Sequence, residues 1–496
     1  MNGRSFIVQP LTAAAPSEWR ALLVRVRQEA EKRRRPVLAS RWEILPGETW
    51  SEADVLGFID PFMSVGMAYL APSQGLAMAG SGIAWHVSPA GASALRDASA
   101  VWRTLASEAV VEGPERAQAP TGAGPILLGA LPFDAVVPGE PEWAPLRQAT
   151  LAVPRQLITV REGRAYRTWC AVVMPPGMRR PDCALTPLPK SLRDPRVPKD
   201  RPDRLNQEET GSPAERAKPR EFRALVGDAL TDIRSERLEK VVVARFEDVD
   251  LKSGPNVRRI LADLVREGPD CTTFGVARSG TWFIGSTPER LATVEGRTVE
   301  TMAVAGSAAR GLSEGEDRAL SHGLLGSTKD LYEHLVVVTA ITKGLRASCS
   351  RVERPPAPGL LRLNGIQHLW TPIRGRLREG MGLLEVVADL HPTPAVAGDP
   401  GSRAVEWIRQ HEGWDRGLYG GPLGYVDAKG QGTFVVALRC GLLSLAEEAR
   451  DRSWARLFAG SGIVAGSEPE REWQETELKL RTMRRVLERT PQEARA

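Results

Sequence analysis

The sequence predicts a mixed α/β (α+β) protein, and three observations carry that expectation. Of 496 residues, 42% are hydrophobic and 26% charged, an ordinary globular mix with ample length to bury a core. Short β-branched or small-residue segments bounded by Gly or Pro recur along the whole chain. Between them lie segments whose apolar residues repeat at helical spacing. Wholesale disorder, collagen and coiled coil are excluded by the same composition. The longest apolar runs, such as 335–341, fall far short of the ~20 residues that cross a bilayer. Residues 1–17 show no basic segment followed by an apolar block, so a cytoplasmic protein is expected.

In the N-terminal part, strands are expected over 75–86, 124–133, 149–160 and 165–173. Two linker-like stretches, 113–124 and 175–213, are rich in Gly, Pro and charge. The second divides the chain into a variable N-terminal part, 1–212, and a C-terminal region, 213–490. The latter opens with an amphipathic helix, because Phe222, Leu225, Val226, Ala229, Leu230 and Ile233 share one face. A buried strand with a Val-Val-Val run follows over 240–250. Further strands are expected over 271–276, 281–284, 291–294 and 433–439. A second helix runs from Ser327 to about Leu345, with Ser327 and Asp330 as a capping pair. The last helix covers about 469–487, with Ser467 as N-cap and Glu470 three residues on.

Net charge is 66 − 61 = +5, but the basic residues are scattered, which argues against a nucleic-acid stripe. The densest cluster, 32–35, reads as a solvated helix end. Only ten of the 66 basic residues are Lys, so a Lys in a sensitive place hints at an amine that can titrate, as Arg cannot. Five cysteines form no CxxC pair and six histidines form no HExxH, so zinc and dithiol sites are not expected.

Asp330 and Glu333 share a helical face, as do Glu472, Glu475 and Lys479. If the two faces meet, four carboxylates converge, and a hard divalent cation would relieve their repulsion. The same acids would equally serve as solvated partners of their helix dipoles. The Gly-rich segment 460–467 runs into the last helix, where exposed N–H groups and the helix N-terminus suit an anion or make a plain tight turn. It lacks the Gly-Lys-Ser/Thr ending of a nucleotide loop. Tyr419, in a Gly-rich turn, and Arg439, at a strand end, could each hold a carboxylate or be structural.

Eight segments stand in an order that resembles the chorismate-utilising enzymes. They are 240–245 (Lys-Val-Val-Val-Ala-Arg), 285–289 (Gly-Ser-Thr-Pro-Glu), 305–307 (Ala-Gly-Ser), 329–334 (Lys-Asp-Leu-Tyr-Glu-His), 367–369 (Gln-His-Leu), 391–398 (His-Pro-Thr-Pro-Ala-Val-Ala-Gly), 460–467 and 472–479. The resemblance covers 220–488 strongly and reaches the N-terminal part through 124–133 and Val153-Pro154-Arg155. Within the group, Lys240 goes with members that use water, where the amine-using members carry Gln. The 391–396 segment resembles isochorismate synthases, and Arg374 stands where aminodeoxychorismate enzymes carry a nucleophilic Lys. Ala397 replaces the usual Gly, a small-for-small change.

The resemblance implies two facing, antiparallel-rich β-sheets with helices packed outside. It implies a Mg²⁺-dependent isochorismate synthase, adding water at ring position 2 as the position 4 hydroxyl leaves. Lys240 would be the base and Glu289 the acid; taken alone they read as a surface lysine and a solvated turn residue, and the resemblance reverses both. Glu333 and Glu475 would hold Mg²⁺, with Asp330 and Glu472 acting through waters. Ser307 and His368 would line the ring pocket. Gly460, Gly462 and Lys479 would border the ring carboxylate, and Tyr419 and Arg439 the pyruvyl carboxylate. The alternatives are a salicylate synthase, which goes on to expel pyruvate, and a catalytically idle chorismate-binding protein. Menaquinone, siderophore, salicylate or secondary-metabolite biosynthesis would consume the product, and the sequence does not choose among them. Chorismate is then the expected partner of a monomer that needs no amidotransferase subunit, nucleic acid or membrane.

Overall fold

Strand Leu151–Arg161 is the branch point of the fold. It pairs antiparallel along its length with Leu76–Val87, while its C-terminal half also pairs with Arg164–Val173. Its first residues pair instead with Ile126–Ala130, through Leu128 opposite Ala152 and Gly129 opposite Leu151. Two sheets leave from this strand. The computed structural model describes residues 17–489, apart from 48, 60–64, 90, 115–121, 135–140, 147–150, 179–220, 252–254 and 446–452.

The first sheet continues from Leu76–Val87 through Val65–Ala71, Thr272–Arg278, Thr281–Thr287, Cys440–Ser444 and Ser453–Ile463 to Lys240–Leu251. Gly398–Asp399 closes that edge beside Lys240 and Val241. The second runs from Ile126–Ala130 through Pro422–Asp427, Gly432–Val436, Arg290–Glu295 and Thr298–Ala309 to Ile366–Leu377. All of these pairings are antiparallel. Val65–Ala71 and Ile126–Ala130 from the N-terminal part thus lie beside strands of the C-terminal part in both sheets.

The inner faces meet over an aromatic core. Tyr69, Phe274, Phe283 and Phe458 of one sheet pack with Leu128, Leu423, Tyr425 and Val435 of the other. The Tyr69 and Tyr425 rings meet edge to face at 5.3 Å. Helices cover the outer faces. Val257–Glu267 and Pro469–Glu488 bury Ile260, Leu264, Leu480 and Met483 against Ile284 and Leu457. Thr328–Ser348 and Leu383–Leu390 bury Val337, Ile341 and Val387 against Val299, Ala303 and Ile373. Helix Phe222–Arg234 buries the six apolar residues that its spacing put on one face. The two facing sheets with helices outside are the expected architecture.

Two short links carry the chain directly from one sheet to the other. Pro288 and Glu289 link Thr281–Thr287 to Arg290–Glu295, and 437–439 link Gly432–Val436 to Cys440–Ser444. The crossings hold each other: Val436 N–H donates to Glu289 O at 3.0 Å, and Ser286 N–H donates to Arg439 O at 3.2 Å. Both Glu289 and Arg439 are thereby delivered to the seam.

Three local expectations are corrected. Residues 460–463 are not a loop before the last helix; they end strand Ser453–Ile463, held by Val241–Ala244 of the neighbouring strand. The last helix takes Glu468 as its N-cap, because the Ser467 hydroxyl is spent accepting from Val464 N–H at 3.2 Å. The strand expected over 433–439 stops at Val436, since Arg439 turns into the left-handed region at φ 50°. The Ser327 cap stands, with its hydroxyl accepting from Asp330 N–H at 3.2 Å. Most of the two expected linkers, 115–121 and 179–212, lies outside the described residues.

Candidate active site

Period-two alternation on strand Lys240–Leu251 decides where its first residue points. Val241 and Val243 join the core under helix Phe222–Arg234, so Lys240 and Val242 turn inward between the sheets. Lys240 is only 1% exposed, and its Nζ meets Glu333 Oε1 at 2.9 Å. Across the ladder lies Gly462, opposite Val242. A Cβ there would collide with Glu333 and approach Lys240 Cε to 2.8 Å, so only glycine leaves room for the ion pair. The Gly460 position is similar, with the Tyr419 hydroxyl 2.9 Å from where a Cβ would stand. The glycines of this segment therefore clear space for side chains rather than presenting a cradle of N–H groups.

Lys240, Glu289, Glu333, Glu475, Lys479, Ser307, His368, Tyr419, Arg439, Gly460 and Gly462 all line one cavity. Asp330 and Glu472 lie behind it. Glu289 is 5% exposed, and burial pushes its carboxyl up to about 7 against the opposing pull of Lys240, Lys479 and Arg439. A carboxylic acid that keeps its proton near neutrality faces a buried amine across the same space.

A hydrogen-bonded line crosses the cavity. Arg439 Nη2 lies 3.1 Å from His368 Nε2, and His368 Nδ1 lies 2.9 Å from Ser307 Oγ. Ser307 Oγ donates to Glu475 Oε1 at 3.1 Å. A guanidinium can only donate, so His368 Nε2 accepts and the ring proton sits on Nδ1. Burial, with Arg439 and Lys479 nearby, holds His368 down at about 3, so the ring is neutral. A β-bulge between Ala305 and Ser307 sets Ser307 opposite His368.

Each carboxylate of the two late helices has a lysine. Glu475 Oε1 meets Lys479 Nζ at 2.6 Å, and Lys479 Nζ also donates to Gly460 O at 2.8 Å. Burial pushes Glu475 up, but Lys479 and Lys329 outweigh it and bring the carboxyl down to about 2. Lys329 Nζ bonds Glu472 Oε1 at 2.9 Å and lies 3.8 Å from Asp330 Oδ1, while Ser461 donates to the other Glu472 oxygen. Burial works against the Lys329 charge, but Glu472, Glu333 and Glu475 raise its pKa regardless. Burial and the Glu475 charge raise Glu472, and burial raises Asp330. Among the described residues no three acidic, His or Cys side chains form a ready-made metal cage. The donor set is nonetheless of the kind a hard cation takes: four carboxylates, here held by Lys240, Lys329 and Lys479, whose charges stand where a divalent ion could.

Sequence reasoning passed over two groups. Lys329 had no assigned role, although a lysine beside Asp330 in a lysine-poor chain was the available signal. Arg416 and Glu412 are fully buried and hold the site's frame together. Arg416 donates to Val242 O at 2.8 Å and Val396 O at 2.7 Å, and Glu412 accepts from Ala244 N–H at 2.8 Å. Nothing in their spacing separates them from an ordinary exposed i, i+4 pair.

Residues 29–488 match the family described as chorismate binding enzyme. The chain is 39% identical over 386 residues to the salicylate biosynthesis isochorismate synthase of Pseudomonas aeruginosa, spanning 78% of this chain and 77% of that one. It is 33% identical over 368 residues to the isochorismate synthase MenF of Bacillus subtilis, spanning 73% and 74%. Among solved structures, a putative 2,3-dihydroxybenzoate-specific isochorismate synthase from Bacillus anthracis superposes with TM-score 0.65 at 25% identity, covering 88% of this chain and 99% of that one.

The raised Glu289 pKa has a consequence for stability. The folded protein keeps a proton that the unfolded chain loses near 4.5, so this group weakens folding as pH rises from there through about 7. Glu289→Gln should match wild type in urea unfolding at pH 5 and exceed it at pH 8 by up to about 3 kcal/mol. A difference that does not change with pH would contradict the raised value.

Proposed function

The chain belongs to the chorismate-binding enzymes, and from that premise we propose that it is a Mg²⁺-dependent isochorismate synthase. The observation that carries this reading is one buried cavity lined by both Lys240 and a Glu289 that stays protonated near neutrality. Chorismate is a dianion with a ring hydroxyl and an enolpyruvyl ether. Water adds at ring position 2, the ring double bonds shift, and the position 4 hydroxyl leaves. Water is a weak nucleophile and hydroxide a poor leaving group, so the reaction needs a base at one position and an acid at the other.

Lys240 takes the proton from water. Its Nζ is held by Glu333, so its work as a base requires that this carboxylate take another partner. Glu289 gives its proton to the departing hydroxyl. Arg439 and Lys479 both pull the Glu289 pKa down. A dianion that neutralises them removes that pull, so substrate binding strengthens the acid's hold on its proton until the hydroxyl demands it. Arg439 and Tyr419 receive the pyruvyl carboxylate; Lys479, Gly460 and Gly462 border the ring carboxylate. The neutral His368 and Ser307 line the ring pocket without adding charge. Glu333 and Glu475, with Asp330 and Glu472 behind them, would hold Mg²⁺. Bound there, the ion would neutralise the carboxylate cluster and draw electron density from the ring through its carboxylate.

The direct test is purified protein with chorismate and Mg²⁺, products separated by chromatography. Isochorismate without salicylate or pyruvate is expected; salicylate with pyruvate would favour a salicylate synthase, and no turnover an idle binder. Lys240→Gln should keep fold and chorismate binding yet lose at least ~100-fold in rate, with no rescue by Arg, which cannot accept the proton. A Gln variant at near-normal speed would exclude Lys240 as the base.

Metal binding is tested at Glu475. Glu475→Ala should stay folded but lose turnover, and should weaken Mg²⁺ binding measured by calorimetry without substrate. Wild-type rate and Mg²⁺ affinity in that variant would remove Glu475 from the metal site.

A further inference from the structure

The groups that do the chemistry are closed off from solvent: Lys240, Glu289, Glu333, His368 and Tyr419 are each 6% exposed or less. A substrate must nevertheless reach them. A second cavity lies against the first and shares two of its walls, Pro288 and Arg439. Its outer rim is made of exposed residues, among them Arg362, which ends strand Gly359–Arg362, Asn364 in the turn that follows, and Arg266 and Asp270 across from them.

The charges on this lining are unequal. Arg266, Arg362 and Arg439 face Glu267 and Asp270. Glu267 is already neutralised by Arg485 at 3.1 Å and Arg489 at 2.5 Å, and Arg266 is tied to Asp263 at 2.5 Å. What remains on the lining is Arg362 at the rim, whose charge also reaches Asp317, and Arg439 at the inner wall, against the exposed Asp270. The net positive charge of the lining therefore lies toward the wall shared with the inner cavity. Asn364 Nδ2 donates to Glu267 Oε2 at 3.3 Å, which ties the turn across the rim and fixes the width of the opening.

We propose that this outer cavity is an anion-accepting vestibule, through which a small dicarboxylate approaches and passes its carboxylate from Arg362 to Arg439. The proposal rests on the reading of the site as a chorismate enzyme. Neither Arg362 nor Asn364 touches the inner cavity, so their effects fall on capture of substrate rather than on chemistry.

The test uses the full chain and chorismate at low and high salt. Arg362→Glu should lower kcat/KM at least ~10-fold at low salt with kcat at saturation unchanged. Wild-type kcat/KM should fall as salt is added, and the variant should lose that fall. Arg362→Gln, a milder change at an exposed position, should lie between the two. Asn364→Trp should lower kcat/KM at every salt concentration by narrowing the opening. Folded variants with wild-type kcat/KM and wild-type salt response would overturn the vestibule. If wild type forms no isochorismate, the functional reading fails; if wild type turns over and the variants are indifferent, only the vestibule fails.

Discussion

The ion pair between Lys240 and Glu333 is the constraint from which the rest of the site follows. Its partners are 1% and 9% exposed in their side chains, at 2.9 Å. Burying two opposite charges rarely stabilises a fold, because desolvation offsets their attraction, and removing one partner strands the other. The surrounding structure is shaped to hold them. Gly462 leaves the volume they fill, Gly398–Asp399 pairs along the backbone of Lys240 and Val241, and Arg416 ties Val242 to the segment carrying Val396. A chain that otherwise chooses arginine keeps lysine here, at a point where an amine able to give up its proton has a use.

The seam between the sheets does the complementary work. Glu289 sits among three cations and would ionise readily in water. Desolvation wins instead and brings its carboxyl up to about 7. The same closure keeps His368 neutral, so the line from Arg439 through His368 and Ser307 to Glu475 carries no charge in its middle. A base and an acid in one dry space are useful only if their protonation states are the reverse of those in water. Burial between two sheets supplies that reversal for Glu289 directly.

Much of this was legible in the sequence. Helix Phe222–Arg234 and strand Lys240–Leu251 follow from periodicity, because each has one buried face and an unambiguous repeat. Every site residue read from the motifs lines the cavity or stands directly behind it, since ordered motifs record a shared site even when their spacing does not. Spacing alone failed where a local pattern has two readings. Gly-Ser-Gly before a helix looks like an anion loop, yet residues 460–463 form a strand because the ladder with Lys240–Leu251 claims their backbone. Ser467 looks like an N-cap but bonds backward to Val464. Glu412 and Arg416 were invisible for the opposite reason: an i, i+4 pair is common on surfaces, and only tertiary packing buries it. The lysine on Glu472 was likewise unreadable, because which carboxylate it meets depends on how two distant helices are brought together.

The most direct measurement is a single turnover of chorismate by the Mg²⁺-loaded enzyme in ¹⁸O-labelled water, with the product analysed by mass spectrometry. If Lys240 activates water while Glu289 expels the old hydroxyl, isochorismate should carry one labelled oxygen at ring position 2, and the water released should carry the original ring oxygen. Isochorismate without label would mean that the hydroxyl moves within the substrate, and would contradict a base and an acid acting on separate oxygens.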